Sequence, residues 1–221
     1  MIESWTLTIP ELTGDVPRRA YVYLPDTWKE DPSRRYPVLY MFDGHNVFFD
    51  EDATYGKSWG MLDYMDYTQT QMIIAAVECN HDPDNGRLSE YAPFSFRTQE
   101  TGRVRGRGKT TMDWFVNTFK PEIDRNLPTL PDRAHTFIAG SSMGGLMSLY
   151  AVMRYNRFFS RCAALSPSIW FGGEQLDSLL RTARIRPDTV VYMDYGSREL
   201  SNHGPMAARF QEVTSLLLER R

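Results

Sequence analysis

Cysteine is scarce: the 221 residues hold two, Cys79 and Cys162, both inside apolar runs. That excludes a framework of several disulfides. Two buried free thiols in a reducing cytoplasm are the expectation. Long apolar runs are missing too. No stretch approaches the roughly 20 consecutive apolar residues of a membrane-spanning helix. The opening MIESWTLTIPELTGD has no basic segment followed by an apolar one, so no secretory signal is expected there. Neither sign of charge dominates, with 25 Lys and Arg against 28 Asp and Glu and a net charge of -3. Nucleic-acid binding would call for a strongly basic face, so no nucleic-acid partner is expected, and no membrane partner. Aromatics, in contrast, make up 13% within a hydrophobic content of 42%. That is ample apolar surface for a packed core and excludes wholesale disorder. No repeat, low-complexity tract or linker divides the chain, and a single domain over 1–221 is expected.

Strand-type runs alternate with helical patterns. Residues 4–9 (SWTLTI) and 18–24 (RRAYVYL) flank a Gly-Asp-Val-Pro turn signal and predict an antiparallel hairpin. Continuous apolar runs at 37–42, 72–78, 136–139, 161–165 and 189–195 suit strands covered on both faces, as in a parallel sheet. Between them, Met112, Phe115, Val116 and Phe119 mark one buried helix face. A second helix follows Gly145 with Leu146, Leu149, Tyr150 and Met153. A last one runs from about Pro205 with Met206, Phe210, Val213 and Leu217. Alternation of this kind predicts an α/β fold with right-handed crossovers. Residues 80–110 break the rhythm. They are polar and rich in Gly, Arg, Asp and Pro, and read as a long functional or mobile loop.

The chemistry lies in 135–149, HTFIAGSSMGGLMSL, where Gly140-Ser141-Ser142-Met143-Gly144 fits G-x-S-x-G. An apolar run precedes the motif and a helical stripe follows it, which is the strand–turn–helix context of a nucleophile elbow. The turn is tight, so a Cβ at either flanking glycine would strike the neighbouring strand or helix. In return, Ser142 is held in a strained conformation at the C-terminal edge of the sheet, beside a helix N-terminus that favours negative charge. An oxyanion hole would take one backbone N–H from Met143. A second would come from the loop Met41-Phe42-Asp43-Gly44-His45-Asn46, with His45 the first choice and Gly44 the alternative. On these residues alone Asp43-Gly44 could equally be a plain turn. The acid that orients a base belongs just past a later strand. There Glu199 follows TVVYMDYGSR, with Asp194 as its rival, expected to lie within the strand and point into a sheet face.

Together these residues resemble the putative esterase family of α/β hydrolases, which includes esterase D-like, enterochelin esterase-like and feruloyl or acetyl xylan esterase-like enzymes. The resemblance rests on LYMFDGHNVFF (39–49), RLSEYAPF (87–94), FKPEIDRNLPT (119–129), AGSSMGGLMSLYA (139–151), FSRCAALSPSIWF (159–171) and YGSREL (195–200). It implies an α/β-hydrolase fold, a mainly parallel sheet flanked by helices. It also implies a serine esterase acting on a carboxylic ester or thioester, with the nucleophile on Ser142, the acid on Glu199 and the oxyanion segment on Asp43-Gly44-His45. Trp170 would wall the site. The reaction needs no metal and no organic cofactor.

One departure concerns the base. The family pattern continues past the last helix into a further strand and a loop with the catalytic histidine, whereas Leu217-Leu218-Glu219-Arg220-Arg221 ends at that helix. The fold is therefore expected without its C-terminal strand and helix, with an open groove and an unpaired edge on the 189–195 strand. Of the four histidines, His135 begins the elbow strand at the far end, His45 serves through its backbone, and His81 lies in the irregular loop. His203 follows Glu199 closely but sits near a helix N-terminus and is expected too far from Ser142. A non-catalytic binding protein on the same scaffold and an acyltransferase are the alternatives. Two further signals are set aside. Residues 102–110 end in Gly108-Lys109-Thr110, but a phosphate loop would need Gly where Arg103 stands, so the segment reads as a mobile basic loop near the pocket mouth. Asp50-Glu51-Asp52 lacks the ligand spacing of a calcium loop and reads as solvated.

Overall fold

Strand β1 (Ile2–Ile9) pairs antiparallel with β2 (Gly14–Tyr23), as the two N-terminal runs predict. The reversal is not made by the Gly-Asp-Val-Pro signal, whose residues open β2. A four-residue helix, α1 (Pro10–Thr13), makes it. Pro10, with its fixed φ and no N–H, suits the first turn of a helix, and Gly14 takes φ 58° to leave it. The structure is a computed structural model that describes residues 1–196, Glu199 and residues 203–219. After the hairpin come β3 (Val38–Met41), α2 (Met61–Thr68), β4 (Ile73–Val77), α3 (Gly86–Glu90), β5 (Phe96–Thr98) and β6 (Gly102–Val104). There follow α4 (Gly108–Trp114), α5 (Lys120–Asn126), β7 (Thr136–Ser141), α6 (Met143–Arg154), β8 (Arg161–Leu165), α7 (Gly173–Thr182), β9 (Val190–Met193) and α8 (His203–Leu218).

Seven strands form one sheet in the order β1-β2-β4-β3-β7-β8-β9. The β1–β2 and β2–β4 pairs are antiparallel and the other four are parallel. All five residues of β4 are buried, as a strand covered on both faces requires. β9 departs from the continuous-run reading: Val190 and Tyr192 are 49% and 55% exposed, so only its alternate face is covered. Among the described residues β9 pairs with β8 alone, which leaves its outer edge unpaired as expected. A groove of about 730 Å³, lined by Val191, Met193, Phe210 and Leu217, opens between β9 and α8.

The segment 80–110 is more ordered than its composition suggests. It contains α3 and a two-stranded hairpin, β5–β6, whose turn Gly102 enables at φ 65°. The predicted stripe Met112, Phe115, Val116 and Phe119 is buried, on a continuous helical stretch that passes through a π-helical turn at 115–119 between α4 and α5. The last helix begins two residues before Pro205. Met206 and Val213 are buried and Phe210 and Leu217 half-buried, with Leu216 added to the covered face. Tyr40 of β3 sits fully buried among Phe115, Phe119 and Phe159, all met edge-on at centroid distances of 5.4–6.3 Å.

Among the described residues the Tyr40 hydroxyl has no hydrogen-bond partner. A buried unpaired hydroxyl opposes folding, and removing it leaves the ring contacts intact. Tyr40→Phe should therefore be neutral or stabilise by up to about 1 kcal/mol in urea unfolding. A loss of that size would mean that the hydroxyl is bonded in solution.

Candidate active site

Ser142 stands between the last residue of β7 and the first of α6, with φ 56° and ψ -119°. A non-glycine residue there carries strain of roughly 1–3 kcal/mol. Surrounding contacts hold it in place. Its N–H donates to the Leu165 carbonyl at 2.9 Å, and its own carbonyl accepts from Ser168 N–H and Leu146 N–H, each at 3.0 Å. The glycine argument holds at Gly140, where an added Cβ would lie 2.7 Å from the backbone carbon and oxygen of Gly144. At Gly144 the fit is tighter than usual without being prohibitive, at 3.2 Å from Phe42 Cβ and 3.3 Å from an Asp43 oxygen. Ser142 is exposed, and its Oγ lies 3.2 Å from that of the buried Ser168. Ser168 was not singled out from sequence. It comes from the SPSIWF turn after β8, within the resemblance but with no motif role.

Asp43, Gly44 and His45 turn next to this elbow. The left-handed residue of this turn is Asp43, at φ 56°. Gly44 is required for close approach: a Cβ would sit 2.8 Å from the Val77 carbonyl carbon at the end of β4. Gly44 and His45 begin a short 3₁₀ turn, 44–46, and Met143 begins α6. First-turn N–H groups have no acceptor within their own helix, so both segments offer free donors. The Asp43 carboxylate is 3% exposed and takes two bonds from Arg87, each 2.7 Å, while Asp43 N–H donates to Tyr91 OH. Arg87 also reaches the Ser141 carbonyl at 3.5 Å. This bidentate pair locks the oxyanion segment to α3 and the elbow. Arg87 opens one of the family-like motifs, but nothing local ties it to a carboxylate 44 residues away.

On the opposite side, both candidate acids converge on Ser166, which follows β8 at φ 40°. Asp194 Oδ1 accepts from Ser166 N–H at 2.9 Å, and Glu199 Oε1 accepts from Ser166 Oγ at 2.5 Å and Gly196 N–H at 3.1 Å. Asp194 does not point into a sheet face, because β9 ends at Met193 and frees it to cap the neighbouring strand. The histidines are dispersed. His135 is half-buried and bonded to Asp132 at 2.8 Å, just before β7. The His45 ring is 5% exposed with Nε2 3.0 Å from Thr54 Oγ1, and burial lowers its pKa. His81 packs against it. Among the described residues no imidazole is hydrogen-bonded to Ser142. The side chain of His203, and with it the expected distance to Ser142, lies outside the described residues.

A cleft of about 490 Å³ opens beside Ser142, lined by Trp59, Tyr55, Lys57, Arg87 and Ser141 among others. Its aromatic wall comes from the loop before α2. Trp170 is not part of that wall and packs on Phe171 instead. Nor does the 102–110 segment supply the cations: Arg107 bonds the Glu11 and Leu12 carbonyls and Lys109 pairs with Asp113. The supposedly solvated acidic loop is partly tied down. Asp50 is held to about 2 in pKa by Ser58 N–H, then Lys57 and the Ser58 hydroxyl, and Asp52 pairs with Arg19.

A match to the family described as Putative esterase spans residues 13–216. The chain belongs to the putative esterase family. An uncharacterized protein of Bacillus subtilis, YbbA, is 28% identical over 82% of this chain and 69% of its own. Among solved structures, an IroE-like serine hydrolase from Shewanella oneidensis superposes with a TM-score of 0.73 over 99% of this chain and 70% of that one, at 18% identity. The enterobactin hydrolase IroE, in complex with DFP, gives a TM-score of 0.71 over 99% and 82%, at 21% identity. These likenesses carry the α/β-hydrolase fold, and family membership makes the chain an esterase. A non-catalytic scaffold and an acyltransferase are not favoured. Among the described residues no helix of this esterase is long and apolar enough to cross a membrane.

Gly44→Ala tests how closely the oxyanion segment is seated. The new methyl would meet β4 backbone, which cannot rotate aside, so the 44–45 amides must shift. Esterase kcat should fall about 10²–10³-fold, the cost of losing one oxyanion donor. Stability should drop by roughly 1–3 kcal/mol. Activity and melting temperature unchanged from wild type would show that the segment has room to spare.

Proposed function

We propose that Ser142 is the nucleophile of a carboxylic ester or thioester hydrolase that works through an acyl-enzyme. The observation that carries this is the exposed Ser142 at φ 56°, held between the N-terminus of α6 and the Gly44-His45 turn. Ser142 Oγ attacks the carbonyl carbon and gives its proton to a histidine. Negative charge gathers on the former carbonyl oxygen, where the Met143 amide and the amide of His45 or Gly44 receive it. The tetrahedral species collapses, the histidine returns the proton to the departing alcohol or thiol, and the acyl group stays on Ser142. Water, deprotonated by the same histidine, then releases the acid.

Glu199 is proposed as the carboxylate that orients that histidine. Its position on Ser166, just past β9, supports the role. Asp194 then serves as the cap that holds the β8 and β9 ends in register. In the cleft, Lys57 and Arg87 already face Asp50 and Asp43. Paired cations suit a neutral ester better than an acidic one. The two free buried thiols, Cys79 and Cys162, support a reducing, cytoplasmic setting.

A fluorophosphonate probe should label the wild type and Ser141→Ala, and fail to label Ser142→Ala. Labelling that survives in Ser142→Ala would remove the nucleophile. With a reporter ester, Glu199→Gln should lower kcat by about 10⁴, as the same change does in a well-studied triad, with little change in melting temperature. A silent Glu199→Gln beside a damaging Asp194→Asn would move the acid to Asp194.

A further inference from the structure

Three ligand-type side chains meet where the 44–46 turn packs on the end of β4. His45 comes from the turn, Cys79 lies two residues past β4, and His81 two further on. One ring nitrogen of each histidine and the Cys79 sulfur all lie within 4.8 Å of one another. The two rings meet edge-on with centroids 4.8 Å apart. His45 and Cys79 are 5% and 2% exposed, while His81 is at the surface. None of the three is used in the ester chemistry through its side chain.

One atom in this group is unexplained. His45 Nε2 lies 3.0 Å from Thr54 Oγ1, but the buried Nδ1 has no partner among the described residues. With Nε2–H donating to Thr54, Nδ1 carries a lone pair enclosed by protein. Buried ring nitrogens in that state normally accept a hydrogen bond or bind a metal, and fixing one nitrogen by a hydrogen bond is how proteins orient a ligating histidine.

We propose that His45, Cys79 and His81 form a binding site for one zinc-class divalent ion. A thiolate and two imidazoles are the donor set that zinc and cobalt favour, and three protein ligands leave a fourth position for water on the exposed His81 side. Ligand atoms about 2.0–2.3 Å from a tetrahedral ion stand roughly 3.3–3.6 Å apart. Closing from 4.8 Å asks for movement of about 1 Å, and the exposed His81 side chain is free to make it. Burial, with the nearby Asp43 charge, keeps the Cys79 thiol protonated without metal. On binding, a metal–sulfur bond replaces the S–H bond and the proton leaves to solvent. The nearby Arg87 charge opposes a cation, but both its bonds to Asp43 balance it locally. A bound ion would tie the oxyanion segment to the strand against which Gly44 is seated.

The test is a Co²⁺ titration of the whole protein, read by the sulfur-to-cobalt charge-transfer absorption and so independent of esterase activity. One equivalent should give that absorption and Zn²⁺ should abolish it. Cys79→Ser should lose the absorption. His81→Ala, which removes an exposed side chain and leaves folding intact, should weaken binding at least about tenfold, as losing even a supporting contact does at metal sites. His135→Ala should bind as wild type. Saturating Zn²⁺ should raise the melting temperature of the wild type and not of His81→Ala. A folded wild type without the charge-transfer absorption, or His81→Ala binding cobalt like wild type, would overturn the site. Either result leaves the role of Ser142 untouched, since fluorophosphonate labelling reports that separately.

Discussion

Gly140 and Gly144 touch across the turn that carries Ser142. Because there is no space for a Cβ between them, the chain leaves β7 and enters α6 within a single residue. That residue has to take a positive φ, and a side chain at that point projects outward from the sheet edge. The Met143 amide follows from the same contact, because α6 starts directly after the serine. The strain at Ser142 is sustained by three backbone hydrogen bonds, two of them to the β8 end at Leu165 and Ser168. The nucleophile therefore depends on β8 as much as on its own strand.

A second constraint seats the other half of the site. Gly44 lies against the Val77 backbone, and Asp43 is clamped by Arg87 and Tyr91. Arg18 and Glu90 form a second buried pair at 2.7 Å, at the other end of the helix that carries Arg87. Buried pairs of this kind contribute little net stability, but breaking one leaves an uncompensated charge. Their effect here is positional: α3, β2, β4 and the 43–46 turn are tied to one another next to the elbow. If the buried imidazole and thiol at 45 and 79 take a metal, the same turn gains a third tether.

Much of this was legible in the sequence because it is local. Continuous apolar runs marked the parallel strands, the 112–119 spacing marked a buried helix face, and G-x-S-x-G between a strand and a helix marked the elbow. What escaped is non-local or energetic. Pro10 and Gly14 outcompeted a better-looking turn signal because a one-turn helix satisfied both. The β5–β6 hairpin hid in polar composition because its three-residue strands are too short to show a period. Asp43 and Arg87 find each other over 44 residues, and Ser166 and Ser168 reach the site through the β8 end, which no spacing rule connects to Ser142. Glu199 and Asp194 sit at one strand end and share one serine, so position alone ranks neither.

Trapping the acyl-enzyme examines the elbow chemistry most directly. An activated aryl acetate would be mixed with enzyme, quenched in acid within the first turnover, and the digested protein mapped by mass spectrometry. A single acetyl group on the peptide spanning 136–154, located at Ser142 and lost on longer incubation, is the expected result. Acetylation confined to any other residue, or ester turnover with no acetyl group on this peptide at any time, would contradict it.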